Sequence, residues 1–537
     1  MSASTTTRVS TGTVARRRTG RPLTAALTAL ALATAALLSG CSSSPSPDGR
    51  ADDATAPRPG TLRVLASSEL SDMTAVFEKV RKDTGITIRP TYMGTLDAVD
   101  LVAKGRADTA YDALWLSSDD YLRLRPEAAK KVVSETPVMS SPVALGVKPA
   151  TVEALGWQPD QVTWSQVATA VREGRLTYGM TDPARSNSGF STLVSVASAL
   201  SGAQSALTDA DVAKATGQLK EFFKGQKLTS GSSGWLAAAY KRRGTVDALL
   251  NYESVLMGIG GLTVIRPHDG VVTADYPFSS LAASDATTRE NVRKVTDDLR
   301  TAAVQKLITD STHRRPVVAS VHPGAGLGTD RRRELPFPGT RSVADGLLDS
   351  YENELRRPSR TVYVLDTSGS MAGDRLARLK KALTGLTGDF REREEVTLMP
   401  FGSDVKSVRS HVVEPSDPQR GLAAIRKDTA GLTADGNTAI YTSLEKAYDH
   451  LGLDGDTFTS IVLMTDGENT TGVKAKDFDA FYRRLVGTQR DTPVFPIVFG
   501  DSDRAELQHI ADLTGGRLFD ARNGSLDGAF EEIRGYQ

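Results

Sequence analysis

The chain is 537 residues long, 39% hydrophobic and 24% charged; that is a soluble globular composition and too much chain for one core, so two or three domains are expected. Lys+Arg and Asp+Glu both number 65, which leaves a formal net charge of zero and removes the electrostatic footprint of a nucleic-acid binder. With one cysteine, Cys41, no intramolecular disulfide can form, and every fold must be held by an ordinary core.

The first predicted element is an address. Arg16, Arg17, Arg18 and Arg21 precede an apolar run from Pro22 to Leu38, which ends in Leu38-Ser39-Gly40-Cys41. A positive start, a short greasy middle and small residues at the end make 1–40 a signal peptide. The alternative is an uncut membrane anchor, for which the run falls short of the roughly 20 residues a spanning helix needs. The last four residues resemble a bacterial lipobox. That resemblance implies that Cys41 becomes a lipidated N-terminus holding the protein on the extracytoplasmic face of the cell membrane. Residues 41–60 are Ser, Pro, Asp, Gly and Ala with almost no large apolar side chain; they read as a tether with a reach of about 25 Å.

From Thr61 the texture changes. Leu62, Val64 and Ala66 alternate with polar residues as a strand. Leu70, Met73, Val76, Phe77 and Val80 mark an amphipathic helix, and Ile86-Thr87-Ile88 a second strand. A helix around Ala98 to Lys104 and a strand over Ala113-Leu114-Trp115-Leu116 repeat the βαβ rhythm, which continues to about Pro316. Ser67-Ser68, Ser117-Ser118 and Ser186 to Ser188 each fall where a strand runs into a helix. Unpaired N–H groups and a positive dipole end at such a junction suit an anion or a small polar molecule. The competing reading is that serine simply caps helices. No GxxxxGK phosphate loop, GxSxG elbow or HExxH is present, and the six histidines are scattered singly.

Four strings in this region resemble, in order, those of extracellular solute-binding proteins that serve transporters. They are Ala107-Asp108 before Leu114-Trp115-Leu116-Ser117, Thr181-Asp182-Pro183-Ala184-Arg185-Ser186-Asn187-Ser188-Gly189, Tyr252-Glu253-Ser254 and Ala274-Asp275-Tyr276-Pro277. The resemblance implies a two-lobed, periplasmic-binding-protein-like α/β domain over 61–319. Its cleft would hold a small polar or anionic ligand near Ser67, Ser68, Ser117, Ser118, Ser186, Ser188 and Tyr252. A domain that keeps the fold but has lost its ligand is the other possibility.

Residues 320–357 hold Pro323, Gly324, Gly326, Gly328, the run Arg331-Arg332-Arg333, Pro336 and Pro338. A solvated linker with a reach of about 30 Å is expected here; the alternative is a strap packed on one domain.

Over 358–537 buried-strand runs alternate with helical stretches. Thr361-Val362-Tyr363-Val364-Leu365 stops at Asp366, and Leu376, Leu379, Leu383 and Leu386 share one helix face. Val396 to Phe401, Ile461-Val462-Leu463-Met464 and Val494 to Phe499 are further strands, with helices around Leu444, Phe478 and Ile510 between them. This predicts a parallel-rich, doubly wound sheet with functional groups at the strand ends, where Asp366 and Asp466 fall. Asp366-Thr367-Ser368-Gly369-Ser370, Thr438 in Gly436-Asn437-Thr438 and Asp466 in Thr465-Asp466-Gly467 resemble the metal-ion-dependent adhesion site of von Willebrand factor A domains. Two carboxylates and three hydroxyls are hard oxygen donors that suit Mg²⁺, or Mn²⁺ or Ca²⁺. The resemblance implies a Rossmann-like domain whose metal accepts a Glu or Asp from a protein partner.

Together these readings describe a lipid-anchored extracytoplasmic binding protein. The alternatives are the solute receptor of an ABC-type transporter and a metal-dependent hydrolase. No histidine neighbours a metal string, so a general base is wanting and a non-enzyme is expected.

Overall fold

The computed structural model describes residues 60–536 apart from 389, 391–392, 453–456, 501 and 523–525. The expected signal peptide, Cys41 and all of the tether but Gly60 lie outside the described residues.

β1 (Thr61–Ser67) is buried along most of its length because it is a central parallel strand, flanked by β2 (Thr87–Met93) and β3 (Ala113–Trp115). The sheet is completed by β4 (Val132–Pro137) and, after a long excursion, β11 (Pro277–Leu281), in the order β2-β1-β3-β11-β4. β11 runs antiparallel to both its neighbours. This is the first lobe.

The excursion builds the second lobe. β5 (Ser141–Val147), β6 (Tyr178–Thr181), β7 (Gln226–Ser230), β8 (Ala248–Tyr252), β9 (Thr263–Ile265) and β10 (Thr273–Ala274) form a sheet ordered β10-β5-β8-β6-β7, with β9 also paired to β5. The chain crosses between lobes around Val138–Ser140, at Asp275-Tyr276 and again after the helix Ala302–Thr312. Two crossing residues, Tyr276 (φ 45°) and His313 (φ 57°), take left-handed backbone conformations that L side chains rarely adopt. Helices begin at the C-terminal ends of β6 and β7: Asn187–Ser201 and Ser233–Arg243. Both point their N-termini toward the first lobe, where the backbone N–H of Leu96 donates to Arg185 O (3.0 Å) and that of Gly234 to Ser68 Oγ (3.3 Å). The middle domain is thus two α/β lobes in contact across a cleft.

The connector is the packed strap, not the solvated linker. Glu334 bridges to Val271 and Pro338 to Leu207, both in parallel register. Leu335, Ala344, Leu347, Leu348, Tyr351 and Leu355 then join the core of the middle domain through a helix over Arg341–Ser350 and a π-turn over Tyr351–Leu355. The expectation failed because those apolar residues lie after the proline- and glycine-rich stretch, whose composition dominated the reading. Two of the three arginines are engaged locally, Arg332 on Asp160 (3.5 Å) and Arg333 on Ala203 O (3.2 Å).

The third sheet is ordered β14-β13-β12-β15-β16-β17, from β12 (Ser359–Asp366), β13 (Glu394–Phe401), β14 (Arg409–Val413), β15 (Phe458–Thr465), β16 (Val494–Val498) and β17 (Phe519–Asp520). All neighbours are parallel except the edge strand β14. Helices cover both faces. Asp374–Leu386, Pro418–Ala430 and Leu526–Arg534 pack on one side, Ile440–Leu451, Ala475–Arg484 and Arg504–Thr514 on the other. The strand order reverses between β12 and β15, and a doubly wound sheet opens its ligand crevice at such a switch point.

Candidate functional sites

The switch point carries the oxygen-rich strings. β12 ends in Asp366 and the adjacent β15 in Thr465, so Asp366 and Asp466 sit side by side, 0% and 1% exposed. Asp366 Oδ1 accepts from the Ser368 backbone N–H (2.8 Å), and Oδ2 accepts from the Thr465 hydroxyl (2.6 Å). Ser368 Oγ lies 3.0 Å from Ser370 Oγ, and the Ser370 hydroxyl donates to Asp466 Oδ1 (2.8 Å). Thr438 comes from a separate loop, pinned by the bond from Gly369 N–H to Gly436 O (2.9 Å); its Oγ1 lies 3.7 Å from where a Cβ on Gly467 would be. All five expected residues therefore meet. Ser370 is exposed while the others are buried, which leaves one side of the ring open.

The donor set fits a hard cation. Neighbouring oxygens around octahedral Mg²⁺ stand about 3.0 Å apart, given bonds of about 2.1 Å. The Ser368–Ser370 and Ser370–Asp466 separations of 3.0 and 2.8 Å match that edge. Burial pushes the Asp366 carboxyl above its ordinary range, opposed by the hydrogen bonds from Thr465 and Ser368; a cation would relieve that cost. Sequence reasoning passed over Arg375, whose Nη1 lies 2.5 Å from Asp466 Oδ2. Its position nine residues after Asp366, at the head of the helix following the turn, was the available signal.

The cleft brings most of its expected residues together. The Ser67 and Thr95 hydroxyls are 2.7 Å apart, Thr95 and Ser117 2.9 Å, and the Ser117 N–H donates to Ser67 Oγ (2.8 Å). On the second lobe Ser188 contacts Thr181 (2.8 Å), Ser186 (3.3 Å) and Ser233 (2.7 Å). Asn187 Nδ2 donates to the Tyr252 hydroxyl (3.0 Å). Neither Ser67 nor Ser186 caps a helix through its side chain, so simple capping does not account for them. Ser118 behaves differently: its hydroxyl accepts from the Asp120 N–H (3.1 Å), a local turn. Thr95, Asn187 and Ser233 were missed. Asn187 sat inside a string already singled out, whereas Thr95 and Ser233 start helices after glycine- or serine-containing turns.

Residues 62–311 match the family described as bacterial extracellular solute-binding protein, and residues 361–468 match the von Willebrand factor type A domain. The chain joins a solute-binding domain to a von Willebrand factor A domain. Inter-alpha-trypsin inhibitor heavy chain H3 of Homo sapiens is 25% identical over 151 residues, which is 27% of this chain and 17% of that one. The chain therefore spans less than a fifth of that curated relative. Among solved structures, the periplasmic binding protein P5PA is 14% identical with a TM-score of 0.44, covering 55% of this chain and 100% of that one. A von Willebrand factor type A protein from Catenulispora acidiphila is 20% identical with a TM-score of 0.28, covering 33% and 42%. Among the described residues no helix is long and apolar enough to cross a membrane.

Proposed function

We propose that this protein is a membrane-anchored, extracytoplasmic binding protein in which a solute cleft is joined to a metal-dependent protein-gripping domain. The observation that carries the reading is the convergence of Asp366, Ser368, Ser370, Thr438 and Asp466 at the switch point of the third sheet, with Ser370 exposed. Mg²⁺ held there would supply an electrophile for an incoming carboxylate. Three neutral hydroxyls leave the ion more net positive charge than a ring of carboxylates would, and a Glu or Asp of a partner then makes a charge-assisted contact at the centre of an interface. The arrangement is one for gripping rather than for activating water.

The test is capture from membranes by the immobilised full chain, with and without EDTA. A partner retained in Mg²⁺ and released by EDTA, and lost from Ser368→Ala and Thr438→Ala, supports the reading. A complex that survives EDTA and both substitutions refutes metal-dependent adhesion. The anchor has its own test. Cys41→Ser should shift the protein out of the membrane fraction or leave it unprocessed, and a variant that fractionates and migrates as wild type removes the lipoprotein assignment. Service to an ABC-type transporter remains the second reading, favoured by the two lobes in contact across the cleft; co-purification of a permease would mark it.

A further inference from the structure

Buried polar groups are nearly always hydrogen-bonded, and each exception costs stability. Five such exceptions belong to the cleft: Glu69 Oε1, Asn187 Oδ1 and the hydroxyls of Ser232, Ser254 and Tyr276. Their residues are 6%, 2%, 0%, 2% and 0% exposed, so bulk water does not satisfy them. They come from different elements. Glu69 follows β1, Asn187 opens the helix after β6, Ser232 precedes the helix after β7, Ser254 follows β8, and Tyr276 sits on a crossing between lobes. Those are the strand ends at which an α/β cleft holds its ligand. Asn187 is joined to Tyr252, whose ring lies 5.9 Å from that of Tyr276, and Glu69 faces both tyrosines.

The chemistry of the five atoms is lopsided. Serine and tyrosine hydroxyls can donate or accept, but the Glu69 oxygen and the Asn187 amide oxygen ask for donors from outside; one of the two Asn187 N–H donors is already used on Tyr252. The guanidinium groups around them lie on carboxylates, Arg314 on Asp72 (2.8 Å), Arg315 on Glu253 (2.8 Å) and Arg185 on Asp97 (3.6 Å), but Arg314 Nε and Arg185 Nε are themselves buried donors with no partner. A fully deprotonated oxyanion could pair with these donors, but it brings none of its own and leaves the Glu69 and Asn187 oxygens unpaired.

We propose that the cleft favours a small ligand that donates hydrogen bonds, one to Glu69 and one to Asn187, over a fully deprotonated oxyanion. This rests on the reading of the middle domain as a solute receptor, and it replaces the anionic half of the expected ligand class with hydroxyl- or amino-bearing molecules. Specificity follows from the asymmetry of polar sites, which reject an analogue lacking the donor because their own groups are left unpaired.

The experiment is calorimetric titration of the full chain in detergent at about pH 8, above the folded-state value of Glu69, with D-glucose, myo-inositol, L-glutamine, putrescine, inorganic phosphate and sulfate. Phosphate and sulfate share a shape and differ in bound protons; the sugars, glutamine and putrescine separate hydroxyl from amino donors. The expected result is binding of at least one donor-bearing probe at least tenfold more tightly than sulfate. Glu69→Leu and Asn187→Leu should each weaken that probe tenfold or more, while Glu69→Gln, which keeps an acceptor oxygen, should stay within threefold of wild type. Thermal melts of each variant separate misfolding from lost contact. Sulfate binding as tightly as the best donor probe, or donor binding indifferent to both leucine variants, overturns the proposal and leaves the solute-receptor reading standing. Failure of all six probes overturns both.

Discussion

Glu69 is 6% exposed, and desolvation lifts its carboxyl to about 7; its own backbone hydrogen bond and the nearby Arg314 restrain the rise while Asp72 adds to it. The unfolded chain ionises near 4.5. A carboxyl raised on folding adds stability below its unfolded pKa and loses it as pH climbs through the folded value. Wild type should therefore weaken between roughly pH 4.5 and pH 7, by on the order of 3 kcal/mol in total. Glu69→Gln cannot ionise, so it should match wild type near pH 4.5 and outlast it at pH 8. Urea melts across that range check this, and parallel pH profiles would refute it. At the proposed metal site Asp366→Ala should abolish Mg²⁺ uptake by calorimetry. Arg375→Ala should do the reverse. Removing a guanidinium 2.5 Å from Asp466 takes away a competing positive charge, and a rise in Mg²⁺ affinity of roughly three- to tenfold is expected for a partly exposed pair.

The helix Asn187–Ser201 shows how one element positions a site. It is buried on nearly all sides, from Asn187 to Ser198, because it runs through the middle of the second lobe. Its start is held against β6 at Gly189, where an added Cβ would run into the Thr181 backbone oxygen. Gly189→Val should cost about 2 kcal/mol or more through overpacking and should displace Ser188 from Thr181 and Ser233. Denaturant unfolding measures the first, and loss of binding by the best cleft probe the second. This helix start was legible beforehand because a turn string of Asp, Pro, Ser, Asn and Gly sits between two apolar runs. The oxygen-rich strings were legible for a similar reason: Asp366, Ser368 and Ser370 are close in sequence, and Asp366 and Asp466 fall at the ends of buried strands. Glu69, Thr95 and Arg375 were not, since their roles come from contacts between segments far apart in the chain. The edge strand β14 escaped notice because Arg409, Ser410 and His411 leave it little apolar alternation.

On the scale of the whole molecule, the helix Ser233–Arg243 belongs to two sites at once. Its first turn meets Ser68 and Ser188 in the cleft. Farther along, Trp235 lies under the Arg517 guanidinium (4.3 Å) and against the Tyr536 ring (6.4 Å), and Arg243 donates to Asp491 O. The junction also borders a half-open pocket of about 300 Å³, lined in part by Arg243, Asp491, Phe495 and Tyr536. Trp235→Ala removes the central aromatic anchor, a loss of a few kcal/mol for a well-packed contact. Two separate thermal transitions in that variant, against fewer in wild type, would mark domains that have come apart; an unchanged melting profile would show that the contact contributes little.

The strap from Leu335 to Leu355 sets a load path. A partner that pulls on the C-terminal domain pulls on β12, and β12 is entered from a segment already packed on the second lobe. A free connector over 320–357 would pay out about 130 Å of slack before transmitting tension. Here Glu334 on Val271 and Pro338 on Leu207, together with Leu347 and Tyr351 in the core, take the strain at once. If the proposed anchor and grip hold, tension between partner and membrane would, once the tether is taut, cross the strap to the two lobes without further slack, and in a force-extension trace the strap should give way as a discrete step rather than as early compliance.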